Sequence, residues 1–241
     1  MKRLYYDLHN HSCLSPCADN DSTPNNIAGM ASLCGINVMA LTDHNTCKNC
    51  PAFFEAAERY GIIPIAGMEL TTSEDIHVVF LFDELRDAMR FDEAISKRRV
   101  LIKNRPDIFG EQLILDGEDN VIGKDEHLLS NATTVSVEEV QQLAKEYGAV
   151  CYPAHVDRES NGIIAVLGVI PEHLNFRCVE IYNKENIPEY RKRYIPDGVV
   201  TVIGSDSHCL TDMRDGENYF ELDTDTDDIS SLRRQLLDLL R

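Results

Sequence analysis

Two histidines placed two residues apart, His9 and His11, follow directly on the apolar run Leu4, Tyr5, Tyr6. In an extended chain, positions i and i+2 lie on one face. Both imidazoles can therefore aim at one point, and imidazole is the commonest protein ligand for zinc-like metals. Taken alone, the pair could equally be unrelated core or surface histidines. The arrangement recurs, however. Asp43 and His44 follow the apolar stretch 37–41, Glu69 follows 62–66, His155 follows 149–153, and Asp206 and His208 follow 199–203. In α/β barrels the C-terminal ends of the strands build the active site. Scattered structural histidines would not repeat that position, so the pattern reads as a metal site.

The elements that must position these groups can be read from the intervening sequence. Ser22-Thr23-Pro24 opens a helix with a hydroxyl cap and a first-turn proline, and Ile27, Met30, Ala31 and Cys34 form its inner face before Gly35. A second helix, about 51–60, buries Phe53, Ala56, Ala57 and Tyr60 and stops at Gly61. Only seven residues separate Glu69 from His77, too few for a helical crossover between parallel strands. The stretch 77–82 is therefore expected to return as an antiparallel hairpin partner, which sets Glu69 and His77 side by side. A capping box, Ser136 with Glu139, reopens regular alternation, and helices are expected near 161–169, 187–194 and 227–240. About seven strands alternating mostly with helices predict an α/β barrel or a doubly wound sheet. Residues 1–241 read as one domain, with 83–133 an irregular insertion or lid too short for a core of its own.

Composition narrows the function classes. Hydrophobic residues make up 43% of the chain, enough for a sizeable core. No apolar run approaches the ~20 residues of a membrane span, and the N-terminus runs straight into a strand pattern without a long apolar signal region. The expected location is cytoplasmic. A net charge of −18 disfavours a basic nucleic-acid-binding surface. Of the eight cysteines, Cys47 and Cys50 have the spacing of half a zinc site, for which Cys13 and Cys17 would be the second pair. Free thiols near the mouth of the site are the plainer expectation for an enzyme-sized chain.

Taken together, His9-Asn10-His11, Thr42-Asp43-His44, Gly67-Met68-Glu69-Leu70 with His77, Pro153-Ala154-His155 and Ser205-Asp206-Ser207-His208 resemble the PHP family, the polymerase and histidinol phosphatase group of metal-dependent phosphoesterases. The resemblance implies a distorted (β/α)7 TIM-like barrel of PHP type and two to three divalent ions. It implies that His9, His11, Glu69 and Asp206 hold one ion, and that Glu69 bridges to a second held by His77 and His155. His44 and His208 would hold a third, with one further ligand from the loop after His11. There the chain reads His11-Ser-Cys-Leu-Ser-Pro-Cys-Ala-Asp19, a departure from the family's short Ser-Asp-Gly form. Asp19 is the expected ligand, with Asp21 and Cys17 the alternatives.

The donor set suits Zn, Mn or Fe(II). Paired ions can activate a bridging water, held here over Glu69, His9 and His155, and clamp phosphate oxygens. Arg158, three residues after His155, is placed to hold phosphate as a charged fork. A surface ion pair is its plainer role. Asp43 would orient a ligand histidine or cap a turn, and His127 and His173 read as exposed bystanders. The expected activity is hydrolysis of a small phosphate ester, a phosphorylated metabolite or nucleotide, with no membrane partner. The alternatives are an exonuclease that takes nucleic acid only as a terminal substrate, and a non-catalytic metal-stabilised module.

Overall fold

The computed structural model describes residues 1–241. In chain order the elements are β1 (Lys2–Asp7), α1 (Pro24–Leu33), β2 (Val38–Leu41), α2 (Cys50–Tyr60), β3 (Ile63–Thr71), β4 (His77–Phe82), α3 (Leu85–Ser96), α4 (Pro106–Phe109), β5 (Leu113–Leu115), β6 (Val121–Lys124), α5 (Val140–Tyr147), β7 (Ala149–Pro153), α6 (Ile163–Leu167), β8 (Cys178–Ile181), α7 (Ile187–Arg193), β9 (Val200–Ile203), β10 (Tyr219–Leu222) and α8 (Ile229–Asp238). Local chemistry sets several boundaries. The Thr23 hydroxyl accepts from Asn26 N at the start of α1. Ser136 and Glu139 form the reciprocal capping box, which first shapes a 3-10 turn (Val137–Glu139) and then α5.

Six strands form one sheet in the order β10-β1-β2-β3-β4-β7, and β8 pairs with β9 in parallel. β1, β2 and β3 run parallel. β4 is antiparallel to both neighbours, β3 and β7. The sheet curls, and β8–β9 closes it. Val156 N donates to Glu180 O (2.9 Å) beyond β7, and a parallel bridge joins Asn10 to Ser207 beyond β1 and β9. The result is a distorted seven-stranded TIM-like barrel with one strand reversed. β10 is absent from the sequence expectation. It is a short edge strand, antiparallel to β1, with only Leu222 buried.

Side-chain alternation divides the core in two. Leu4, Tyr6, Val38, Ile63, Ile65, Val79, Leu81, Tyr152 and Val202 fill the barrel together with Leu232, Leu236, Leu237 and Leu240 in and after α8. The opposite strand faces, with Met39, Leu41, Met68, Phe80, Phe82 and Ile181, pack under the helices. Continuing the inward face of β3 from Ile63 and Ile65 leads to Gly67 and then Glu69, which places that carboxylate inside the barrel at the strand's C-terminal end.

Two expectations change. α3 is a regular barrel helix, with Ala88, Phe91 and Ile95 in the outer core, so the irregular segment begins after it, near residue 97. That segment is tied down. Asp125 receives two hydrogen bonds from Arg99 (2.9 and 2.7 Å) and one from Lys48 (3.0 Å). Asn45 Nδ2 donates to the carbonyls of Leu129 (2.6 Å) and Asn131 (3.0 Å). All eight cysteines are free thiols. Cys47 and Cys50 lie in the core, not at a mouth, and both thiols point to Gly67 O, whereas Cys13 points to Leu113 O. They form no four-cysteine site. No helix is long and apolar enough to cross a membrane.

Candidate metal centre

Glu69 is the hub. Its Oε1 lies 2.8 Å from His77 Nδ1, 3.1 Å from His155 Nε2 and 3.3 Å from His9 Nε2. Its Oε2 lies 3.0 Å from His44 Nδ1 and 3.2 Å from His11 Nε2. The hairpin register pairs Thr71 with His77 and Glu69 with Val79, so Glu69 and His77 share the inward face. Asp206 Oδ1 adds a second carboxylate oxygen, 3.1 Å from His11 Nε2 and 3.4 Å from His9 Nε2. Three groups of donors converge closely enough to hold an ion: His9, His11, Glu69 and Asp206; His44, Glu69 and His77; and His11, His44 and His208. His155 and Asp206 carry positive φ values of 28° and 49°. Non-glycine backbone strain of this kind concentrates at functional sites.

A surrounding layer fixes which ring nitrogen faces the hub. Glu180, fully buried on the inward face of β8, sets both carboxylate oxygens 3.0 Å from His9 Nδ1 and accepts His155 N–H at 3.1 Å. A carboxylate only accepts, so the His9 proton sits on Nδ1 and the Nε2 lone pair faces Glu69 and Asp206. Ser15 Oγ does the same for His11 through a different route. Its single proton goes to Asp43 Oδ1 (2.8 Å), so it accepts from His11 Nδ1 (3.0 Å) and from His44 N–H (3.1 Å). Asp43 therefore orients His11, not its neighbour His44, and its carboxylate also receives Ser12 N and Oγ (2.7 Å each). His208 Nδ1 donates to Asp206 O (2.8 Å), leaving Nε2 outward.

The electrostatics follow from this crowding. Burial opposes ionisation of Glu69, yet His77, His9 and His44 hold its pKa well below the usual carboxylate range. Asp206 is likewise lowered by His9 and His11 against its burial. Burial disfavours charge on His9 and His44, but Glu180, Glu69 and Asp206 raise the first and Cys17 and Glu69 raise the second. His77 is depressed, because burial outweighs Glu69. His44 Nδ1, Glu69 Oε2, His155 Nδ1 and Asp206 Oδ1 are buried with no hydrogen-bond partner. Orphaned buried donors and acceptors cost roughly 1–3 kcal/mol each, and divalent cations would satisfy the inward-facing ones. The mixed nitrogen and oxygen set fits Zn, Mn or Fe(II).

The loop after His11 does not bring Asp19 to this centre. Successive turns (Ser15 N to Ser12 O, Ala18 N to Ser15 O, Ser22 N to Asp19 O) leave Asp19 and Asp21 exposed, with Asp19 N donating to His208 O (2.9 Å). Cys17 lines the cavity instead, together with His44 and His208. Burial acts against its ionisation, while His44, His208 and His11 draw the thiol down to about 5. The cavity, about 370 Å³, is lined further by Ser130, Arg158, Ser160 and Asn161. Arg158 donates to Asp206 Oδ2 and stacks 4.0 Å from the Tyr182 ring centroid, where Arg214 also packs at 4.6 Å. His173 is exposed and paired with Glu138, and His127 is half-buried away from the cavity. Sequence reasoning missed Glu180, Ser15 and Tyr182. A glutamate inside the otherwise apolar Cys178–Ile181 strand was the available signal.

A family model described as the PHP domain matches residues 7–221. The chain belongs to the PHP domain family. Over 112 residues this PHP protein is 33% identical to the 5'-3' exoribonuclease of Haemophilus influenzae, a match spanning 45% of the chain and 39% of that relative. Among solved structures it resembles the lesion-specific endonuclease PfuEndoQ of Pyrococcus furiosus (18% identity, TM-score 0.62, 97% of this chain and 55% of that one). It also resembles a Bifidobacterium adolescentis protein assigned as a metal-dependent phosphoesterase (20% identity, TM-score 0.58, 97% and 96%). The class that the family implies, metal-dependent hydrolysis of phosphoric esters, agrees with the donor set.

Proposed function

We propose that this PHP protein hydrolyses a small phosphate ester, a phosphorylated metabolite or a nucleotide, with water activated at two to three divalent ions. The observation that carries the reading is Glu69 at the junction of five histidines, each offering a ring nitrogen within 3.3 Å. His9, His11, Glu69 and Asp206 would hold one ion, Glu69, His77 and His155 a second, and His44 with His208 a third. Bound ions would supply a water of lowered pKa and clamp the phosphate oxygens. The chain's own work is to present the lone pairs. Glu180 keeps the proton on His9 Nδ1, and Ser15 with Asp43 keeps it on His11 Nδ1. Arg158 spends one N–H on Asp206 and has others for a phosphate oxygen.

The cavity supports a small substrate. At about 370 Å³ it suits a compact molecule, near the lower end of small-ligand pockets. The −18 net charge is unfavourable for a long polyanion. The identity shared with an exoribonuclease favours a second reading, an exonuclease acting on one terminal nucleotide at a time. A non-catalytic module is the weakest reading, because the donor set is nearly complete.

Metal content followed by phosphate release from a panel of monoesters, mononucleotides and short oligonucleotides tests these. Release from monoesters, lost in His9→Ala and Asp206→Ala, is the expected result. Mononucleotides released from oligonucleotides would replace it with the nuclease. Full metal occupancy without turnover on any substrate would overturn both.

A further inference from the structure

Resting on the phosphate-ester reading above, we propose that Tyr182 is a positioning residue: its ring, held by Asp157 and Arg214, aims the Arg158 guanidinium at the substrate phosphate.

The need for such a device comes from Arg158 itself. An arginine side chain gives up much rotamer freedom when it is fixed, and that of Arg158 is 34% exposed. Its one carboxylate partner is Asp206, which also belongs to the metal centre. A hydrogen bond at the tip does not by itself fix the plane of the fork. The ring supplies the rest. Arg158 Cζ lies over Tyr182, 4.0 Å from the ring centroid. Contact with a ring face consumes no N–H, so the donors not spent on Asp206 stay free for an anion. A carboxylate in the place of the ring would take those donors and repel the incoming phosphate.

The ring is itself held. Tyr182 directly follows β8, and Asp157, the chain neighbour of Arg158, grips its loop. Asp157 Oδ1 accepts Tyr182 N–H (2.7 Å), while Oδ2 accepts Asn183 N–H (2.9 Å) and Asn186 Nδ2 (2.8 Å). Arg214, from the segment before β10, closes the arrangement. Its Nη1 donates to Tyr182 O (2.8 Å), and its Cζ lies 4.6 Å from the ring centroid. Asp157 and Arg158 thus engage the backbone and the ring of one residue, which locks the loop after β7 to the loop after β8. Arg158 lines the metal cavity and Tyr182 does not, so the ring works through the guanidinium.

Calorimetric titration of inorganic phosphate into the metal-loaded full chain tests this. Tyr182→Leu removes the ring and is expected to weaken phosphate about five- to tenfold, the worth of a partly desolvated cation–ring contact, with metal content unchanged. Tyr182→Phe keeps the ring and is expected to keep the affinity. In an Arg158→Ala background, itself weaker for phosphate, Tyr182→Leu is expected to add at most about twofold, because the two changes remove the same contact. Arg214→Ala loosens the ring without removing it and is expected to weaken phosphate by less; it serves as the second variant if Tyr182→Leu fails to fold. Wild-type affinity in a folded Tyr182→Leu or in Arg214→Ala, lost affinity in Tyr182→Phe, an equal loss with and without Arg158, or loss of metal in Tyr182→Leu overturns the positioning role and leaves the phosphate-ester reading standing. A metal-loaded wild type that binds no phosphate overturns both.

Discussion

Replacing Glu180 by glutamine changes one atom in a fully buried site. Glu180 Oε1 accepts from His155 N–H at 3.1 Å and lies 3.0 Å from His9 Nδ1, while Oε2 lies 3.0 Å from the same nitrogen. An amide keeps one oxygen. If that oxygen takes the Oε1 place, the NH2 group meets the proton on His9 Nδ1. If it takes the Oε2 place, the NH2 meets His155 N–H. Either way two donors face each other inside the barrel, and His9 is pressed to move its proton to Nε2, the nitrogen that faces Glu69 and Asp206. Partners of this kind are worth about 10- to 100-fold in metal affinity or activity, or about 1.4–2.8 kcal/mol at 1.4 kcal/mol per tenfold. Chelator competition on Glu180→Gln reads the affinity directly, and melting of the stripped protein shows whether the fold is intact. A variant that melts like the wild type yet binds metal 10- to 100-fold more weakly fits this account. Wild-type affinity and turnover in a folded Glu180→Gln protein would refute the assignment of the His9 proton.

Other perturbations probe neighbouring links. Ser15→Ala cuts the path from Asp43 to His11 and should weaken metal binding about tenfold without loss of fold; unchanged binding by the same chelator competition would place Ser15 outside the site's support. Gly204→Ala puts a methyl group 2.7 Å from Glu180 Oε2 and 2.9 Å from His9 Cβ, both buried and unable to retreat, so overpacking of about 1–3 kcal/mol should appear in thermal melts together with reduced metal content. Asp125→Ala strands the nearly buried Arg99, and breaking a buried pair costs about 3–5 kcal/mol, read as protease nicking within 97–133. The pH dependence has a definite sign: burial works against the Asp125 charge, but Arg99 and Lys48 lower its pKa overall, so its stabilisation is present above the unfolded value of about 3.9 and is lost as pH falls toward the folded one. Wild-type nicking should therefore rise only in acid, and a flat pH profile would exclude this anchor.

How far the sequence could be read depended on whether neighbours in the chain are neighbours in space. The β3–β4 hairpin was legible because seven residues cannot make a crossover, and the boundaries of α1 and α5 because Thr23-Pro24 and the Ser136–Glu139 box act locally. β10 was not, since a four-residue edge strand with one buried side chain carries almost no alternation. The strand-end histidines and acids were legible as a repeated pattern, and the structure brings them to one cavity. The direction of the Asp19 side chain was not legible, because loop turns have no period from which direction can be computed. Glu180 was hidden for a related reason: every residue of Cys178–Ile181 is buried, so the inward and outward positions look alike until the fold says which face holds the hub.

The distribution of cost within the barrel supports a catalytic use of that hub. The unpaired buried atoms of His44, Glu69, His155 and Asp206, the positive φ values of His155 and Asp206 and the five imidazoles around Glu69 gather at one end of the barrel. Below them the interior is apolar from Tyr152 down to Leu4, and Leu232, Leu236 and Leu237 of α8 join it. In barrels of this kind one end carries chemistry and the other stability. A module kept only for structure would gain by replacing orphaned donors with well-packed apolar side chains, since removing both partners of a buried polar contact can be neutral or stabilising. Here the polar groups are instead held in fixed tautomers by Glu180, Ser15 and Asp43, which are themselves buried. Support at that depth is useful when the ring nitrogens must present lone pairs to something that the polypeptide does not itself supply.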